Sequence, residues 1–150
     1  MYVRKLEIKD FNKFYEMLLK AFAEKGFLDR TFDREMVNIE AKRCIVAADH
    51  YVIGLFVDDV LRGFAILMFG QNVYNRDEYV QVDMIHTDTD HRHDIHLQTI
   101  FSNIKQIALE HNAKRVICND NALNLDKETK NVIWLKNLFF QTDKVWETEI

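Results

Sequence analysis

The sequence predicts an α/β domain: a mixed β-sheet carrying helices on both of its faces. Three observations lead there. Short apolar or alternating segments are interleaved with longer ones whose apolar residues recur every three to four positions. Two apolar runs, Tyr51 to Val57 and Val60 to Phe69, are joined directly by Asp58-Asp59, which makes them antiparallel neighbours. Residues 79–118 read as strand, helix and strand, and such a crossover joins parallel strands with a right-handed turn. A sheet containing both kinds of pairing is mixed, and its apolar faces require helices on either side.

The elements follow in order. Residues 2–8 alternate as an opening strand, and Asp10 stands as an N-cap before Phe11, Phe14, Tyr15, Leu18, Leu19 and Phe22, with Gly26 as the stop. Asp33 caps a second helix through Val37, Ala41 and Cys44. The 51–69 hairpin comes next, then a polar loop at 71–78. In the strand Tyr79 to His86, Val80, Val82 and Met84 share one face, and Gln81 and Asp83 the other. A histidine-rich turn at 86–96 opens a helix striped by Leu97, Ile100, Phe101, Ile104, Ile107 and Ala108. Arg115 to Cys118 is a short buried strand, 126–137 a helix, and Phe139 onward one or two last strands. The expected order is β-α-α-β-β-β-α-β-α-β(β). Without repeats or Pro/Gly/Ser-rich linkers, the 150 residues read as one domain, 1–150.

Composition narrows the function. A formal net charge of -4 offers no electrostatic footprint for a phosphate backbone, which speaks against nucleic-acid binding. No apolar run suits a membrane span or a signal peptide, and Cys44 and Cys118 lack disulfide or metal spacing. A cytoplasmic protein with free thiols is expected. The four glycines form neither a phosphate loop nor a dinucleotide fingerprint. His50 and His111 stand apart from other ligands and read as surface residues.

The densest set of chemical groups lies at 86–96: His86, His91, His93 and His96 with Asp88, Asp90 and Asp94. The cluster reads as a solvated turn, a phosphate-contacting loop or a metal site. Its run His91-Arg92-His93-Asp94-Ile95-His96 is similar to the HxHxDH zinc motif of metallo-β-lactamase-like hydrolases, but with the aspartate one position early.

Asn131-Val132-Ile133-Trp134-Leu135-Lys136-Asn137-Leu138-Phe139-Phe140, followed by Lys144-Val145-Trp146-Glu147, resembles the helix-to-strand segment and closing strand of the Gcn5-related N-acetyltransferase (GNAT) superfamily. Tyr79 to Ala108 is similar to that family's acyl-CoA signature, a strand and turn leading to a helix whose N-terminus receives the pyrophosphate. The resemblance implies acetyl transfer from acetyl-CoA to an amine of a small molecule or protein. Ile85, His86, His91, Arg92, His93, Asp94, Ile95 and His96 would hold the acyl-CoA; Asp94 and His96 stand where the family has small residues. Asp83 or His86 would be the base, and partial burial between Val82 and Met84 would raise the Asp83 pKa. Gln81, Phe27 and Trp134 would line the acceptor side, and Leu135 takes the place of the family's frequent tyrosine acid. Homodimers are common in that family.

Two other functions stay open. The chain resembles degenerate GNAT-fold proteins, such as those encoded by tailed bacteriophages, that serve as binding or structural modules without acyl-CoA. The third is a metal-binding protein using the 86–96 cluster.

Overall fold

The computed structural model describes residues 1–24, 33–119, 140–142 and 145–149. Their strands form one seven-stranded mixed sheet in the order β1-β2-β3-β4-β5-β7-β6. The strands are β1 (Tyr2–Lys5), β2 (His50–Val57), β3 (Val60–Gln71), β4 (Glu78–Thr87), β5 (Arg115–Asn119), β6 (Phe140–Thr142) and β7 (Val145–Glu149), and the helices are α1 (Phe11–Glu24), α2 (Arg34–Val46) and α3 (Asp94–Glu110). The β4–β5 pair is parallel and every other pair antiparallel, as the crossover and the hairpin demand. The expected helix at 126–137 and the Gly26 stop lie outside the described residues.

β1 is shorter than the 2–8 alternation suggested. Asp10 captures the chain just past it, accepting the Glu7 backbone N–H at 2.9 Å and a two-pronged ion pair from Arg4 at 2.8 and 2.9 Å. The result is a 3-10 turn at Ile8–Asp10 running directly into α1, so Asp10 closes that turn rather than capping α1. Asp33 does cap α2, accepting from the Glu35 and Met36 N–H groups. The Asp58-Asp59 turn works without glycine because both residues take φ near +60°, at 52° and 62°, and aspartate tolerates that region better than most.

Two cores flank the sheet. Phe14, Leu18 and Ala21 of α1 and Ala41, Cys44 and Ile45 of α2 pack on Val52, Phe64 and Ile66. On the other face Leu97, Ile100, Phe101 and Ile104 of α3 pack on Ile53, Leu55, Leu67, Val80, Val82 and Ile85. Met84 corrects the alternation expected for β4: it packs on the α1/α2 core, opposite Val80 and Val82. The cause is a bulge. Ile66 pairs with Met84 and Leu67 with Val82, leaving Asp83 as an extra residue that shifts the alternation by one.

Gly63 holds the end of β4 close to β3. A Cβ there would stand 2.9 Å from the His86 carbonyl oxygen, a backbone atom with little room to yield.

Phe64 is fully buried, with its ring edge-to-face against Phe14 at 5.1 Å. Phe64→Ala should cost about 3–5 kcal/mol by urea unfolding. Val73→Ala, in an exposed loop, should stay within about 0.5 kcal/mol of wild type.

Candidate active site at the end of strand β4

β4 is bonded to β3 along nearly its whole length but to β5 only from Tyr79 to Val82. From Asp83 to Thr87 its other edge meets no strand among the described residues. This stretch of the β4 edge runs on past the end of the ladder to β5. The chain then turns through Asp88, whose N–H binds the Arg62 carbonyl at 2.8 Å, and a 3-10 turn at Thr89–His91 into α3.

The head of α3 offers donors. Its N-cap, His93, makes no side-chain cap bond, and the His93 carbonyl takes the N–H groups of His96 and Leu97 at 3.0 and 3.4 Å. The Asp94 and Ile95 N–H groups meet no acceptor among the described residues, at the positive end of the helix dipole. Asp94 places an exposed carboxylate at that same end.

The histidines separate into two groups. His91 and His96 meet edge to face at 5.2 Å, and His93 lies 5.8 Å from His96. The Nδ1 atoms of His91 and His96 are buried and meet no hydrogen-bond partner among the described residues. Burial, helped by the other two imidazoles, pushes the His96 pKa down, which keeps it neutral. His86 instead sits buried on the α1/α2 side near Phe64, its Nδ1 3.8 Å from Glu24 at the end of α1. Arg92 turns the same way: Nε donates to the Thr87 carbonyl at 2.9 Å and the guanidinium pairs with Glu24. It points to α1, not along the head of α3.

Asp83 lies on the α1/α2 face with Gln81, whose Nε2 donates to it at 3.3 Å. Burial raises its pKa; the charge His50 carries when protonated acts the other way and is the smaller effect. Asp83 and His86 are three residues apart along the strand, about 10 Å, so they act as separate groups. Phe27, Trp134 and Leu135 lie outside the described residues.

His50 is buried at 4% exposure, which corrects the expectation of a surface residue. Arg43 can only donate, so the Nη2 contact at 3.3 Å makes His50 Nε2 the acceptor. Its Nδ1–H then donates to Asp49 at 2.9 Å, and the ring is neutral. Cys44 and Glu40 complete this cluster, which sequence reasoning missed; the only local signal was their spacing of four on α2. Burial and the Glu40 charge push the Cys44 thiol up to about 11, so it is a poor nucleophile. His111 is exposed as expected, stacked on Phe69 at 4.2 Å. Among the described residues, Glu40, Cys44 and His50 converge as metal ligands would; the 86–96 side chains do not. A cavity of about 400 Å³ bordered by Phe69, Tyr79, His111 and Ala113 lies at the opposite end of the sheet.

No family model matches the chain, and no curated protein matches it by sequence. Solved structures do. The ribosomal-protein-alanine N-acetyltransferase of Brucella melitensis superposes with a TM-score of 0.72 at 17% identity, over 95% of this chain and 94% of that one. A predicted acetyltransferase from Clostridium acetobutylicum, solved with acetyl-CoA, gives 0.74 at 13% identity, over 95% and 91%. A GNAT family acetyltransferase from Staphylococcus aureus gives 0.65 at 15% identity, over 85% and 95%. The architecture is the GNAT fold, as the sequence resemblance implied. No helix among the described residues is long and apolar enough to cross a membrane.

A half-buried carboxylate such as Asp83, whose pKa desolvation raises, weakens the fold when ionised. That cost is fully developed above its folded-state pKa, shrinks as pH falls below that value, and is gone below the lower unfolded-state pKa. Asp83→Asn should therefore raise the melting temperature at neutral pH, with the gain vanishing at acidic pH where wild-type Asp83 is protonated. Thermal scans across pH read this directly.

Proposed function

We propose that this protein is an N-acetyltransferase that moves the acetyl group of acetyl-CoA to an amine of a small molecule or protein. The carrying observation is that β4 runs past the end of its ladder to β5 and leads to the head of α3, where the Asp94 and Ile95 N–H groups meet no acceptor among the described residues, with Asp83 bulged at the point where the ladder ends. The neighbour solved with acetyl-CoA supports this reading.

The residues at this end fit an acyl-CoA in two ways. The Asp94 and Ile95 N–H groups, with His91, His93 and His96 beside them, would hold the pyrophosphate, and the Nδ1 atoms of His91 and His96, without partners among the described residues, are groups a ligand would satisfy. The β4 edge at Ile85 and His86 would hold the pantetheine arm through backbone bonds. Acetyl-CoA supplies an acyl group already activated as a thioester. Asp83 accepts the proton of the incoming amine as the N–C bond forms and the C–S bond breaks. Its raised pKa strengthens it as a base, and Gln81 holds its carboxylate in place. The leaving thiolate takes a proton from solvent, a step Leu135 cannot assist.

Two observations favour the second reading, a GNAT-fold module without acyl-CoA. Arg92 is engaged by Glu24, and Asp94 sets a negative charge against the expected phosphates. Calorimetry with acetyl-CoA separates the two. Micromolar binding by wild type, tightened roughly tenfold in Asp94→Gly by removal of the like charge, is the expected result. Binding by Asp94→Gly alone supports the module, and silence from both ends the acetyltransferase reading. With an acceptor in hand, Asp83→Asn should lower kcat by about 10²–10⁴-fold while acetyl-CoA affinity holds.

A further inference from the structure

We propose that Glu40, Cys44 and His50 form a binding site for a thiophilic divalent metal such as Zn²⁺, a site now held by the Arg43 guanidinium. Glu40 and Cys44 are four residues apart, so α2 presents both on one face. The hairpin start brings His50 up against them. Their ligand atoms all lie within 4.8 Å of one another, and Cys44 Sγ is 3.9 Å from Glu40 Oε1. Tetrahedral zinc with such ligands separates its donors by about 3.3–3.8 Å, so a closing of about 1 Å at the widest completes the set. Cys44 and His50 are both buried, whereas Glu40 is exposed, its carboxylate held by Arg43.

Two details mark this as a built site. His50 is oriented as a metal-binding imidazole is, with Nδ1–H bonded to the Asp49 carboxylate and the Nε2 lone pair turned toward the other ligands. A cation already occupies it: Arg43 Nη2 contacts both Glu40 Oε1 and His50 Nε2. Arg43 is half exposed and can swing into solvent as the metal enters. Sulfur, nitrogen and oxygen donors together select Zn²⁺ or Co²⁺ over Mg²⁺ and Ca²⁺, which take oxygen alone. On binding, the Cys44 thiol releases its proton to solvent and the sulfur coordinates as thiolate. Three protein ligands leave a fourth position for water. The site adjoins the Asp83 face of β4 but does not depend on acetyl transfer.

Titration of the protein with Co²⁺, followed by competition with Zn²⁺, tests it. Wild type should bind one Co²⁺ with a thiolate charge-transfer band that Zn²⁺ abolishes. Cys44→Ser should lose the band. Glu40→Gln, at an exposed position that leaves the fold intact, should weaken binding at least tenfold, and Arg43→Gln should tighten it. A triple change of His91, His93 and His96 to Gln should leave the band and affinity as they are. Absence of the band in wild type, affinity indifferent to Glu40→Gln, or binding abolished by the triple variant overturns the proposal; the last would assign the metal to the loop.

Discussion

β4 lies between two cores, and the single extra residue at Asp83 lets it serve both. In an uninterrupted strand, side chains alternate strictly, so Val80 and Val82 would carry Met84 with them toward α3. The bulge resets the alternation. Ile85 continues the α3 core, Met84 joins the α1/α2 core, and a carboxylate that would fit poorly in a central strand comes to rest where the ladder to β5 has ended. The same residue that redirects the side chains marks the point where the ladder to β5 ends.

Past the bulge, the chain is fixed mainly by polar contacts. Arg92 bridges the Thr87 carbonyl and Glu24, the latter 68 positions away from it in the chain. Such a half-exposed pair adds little to stability, but it sets where the guanidinium points and brings a carboxylate beside His86. Arg62, the extra residue of a second bulge between β2 and β3, holds Asp88 through its carbonyl and by an ion pair at 3.5 Å. The approach to α3 is thus secured from β3 and from α1, while the head of the helix stays open.

On the α1/α2 face the burial of polar groups is compensated. His50 would carry a desolvation cost if either nitrogen were unpaired, and both are paired, through Asp49 and Arg43. Arg43 balances Glu40, whose carboxyl it holds below the usual carboxylate range. This accounts for a chain with few obvious ligand motifs concentrating glutamate, cysteine, histidine and arginine beneath one sheet face.

The helical stripes, the Asp33 cap, the two-residue hairpin and the strand–helix–strand crossover were all readable from the sequence, because each depends on the spacing of residues along one short segment. The end of β1 and the role of Asp10 were not, since Arg4 and the Glu7 N–H claimed a carboxylate that local pattern assigned to α1. At the candidate site, the density of histidines marked the 86–96 turn in the sequence, and the family resemblance pointed to Asp83 on the preceding strand. Tertiary structure alone decided that Met84 changes face, that Arg92 turns to Glu24, and that His50 is buried against Cys44 and Glu40. The physical reason is common to all three: bulge phase, ion pairing and burial are set by partners distant in the chain, whose positions exist only once the sheet is paired and the helices are docked.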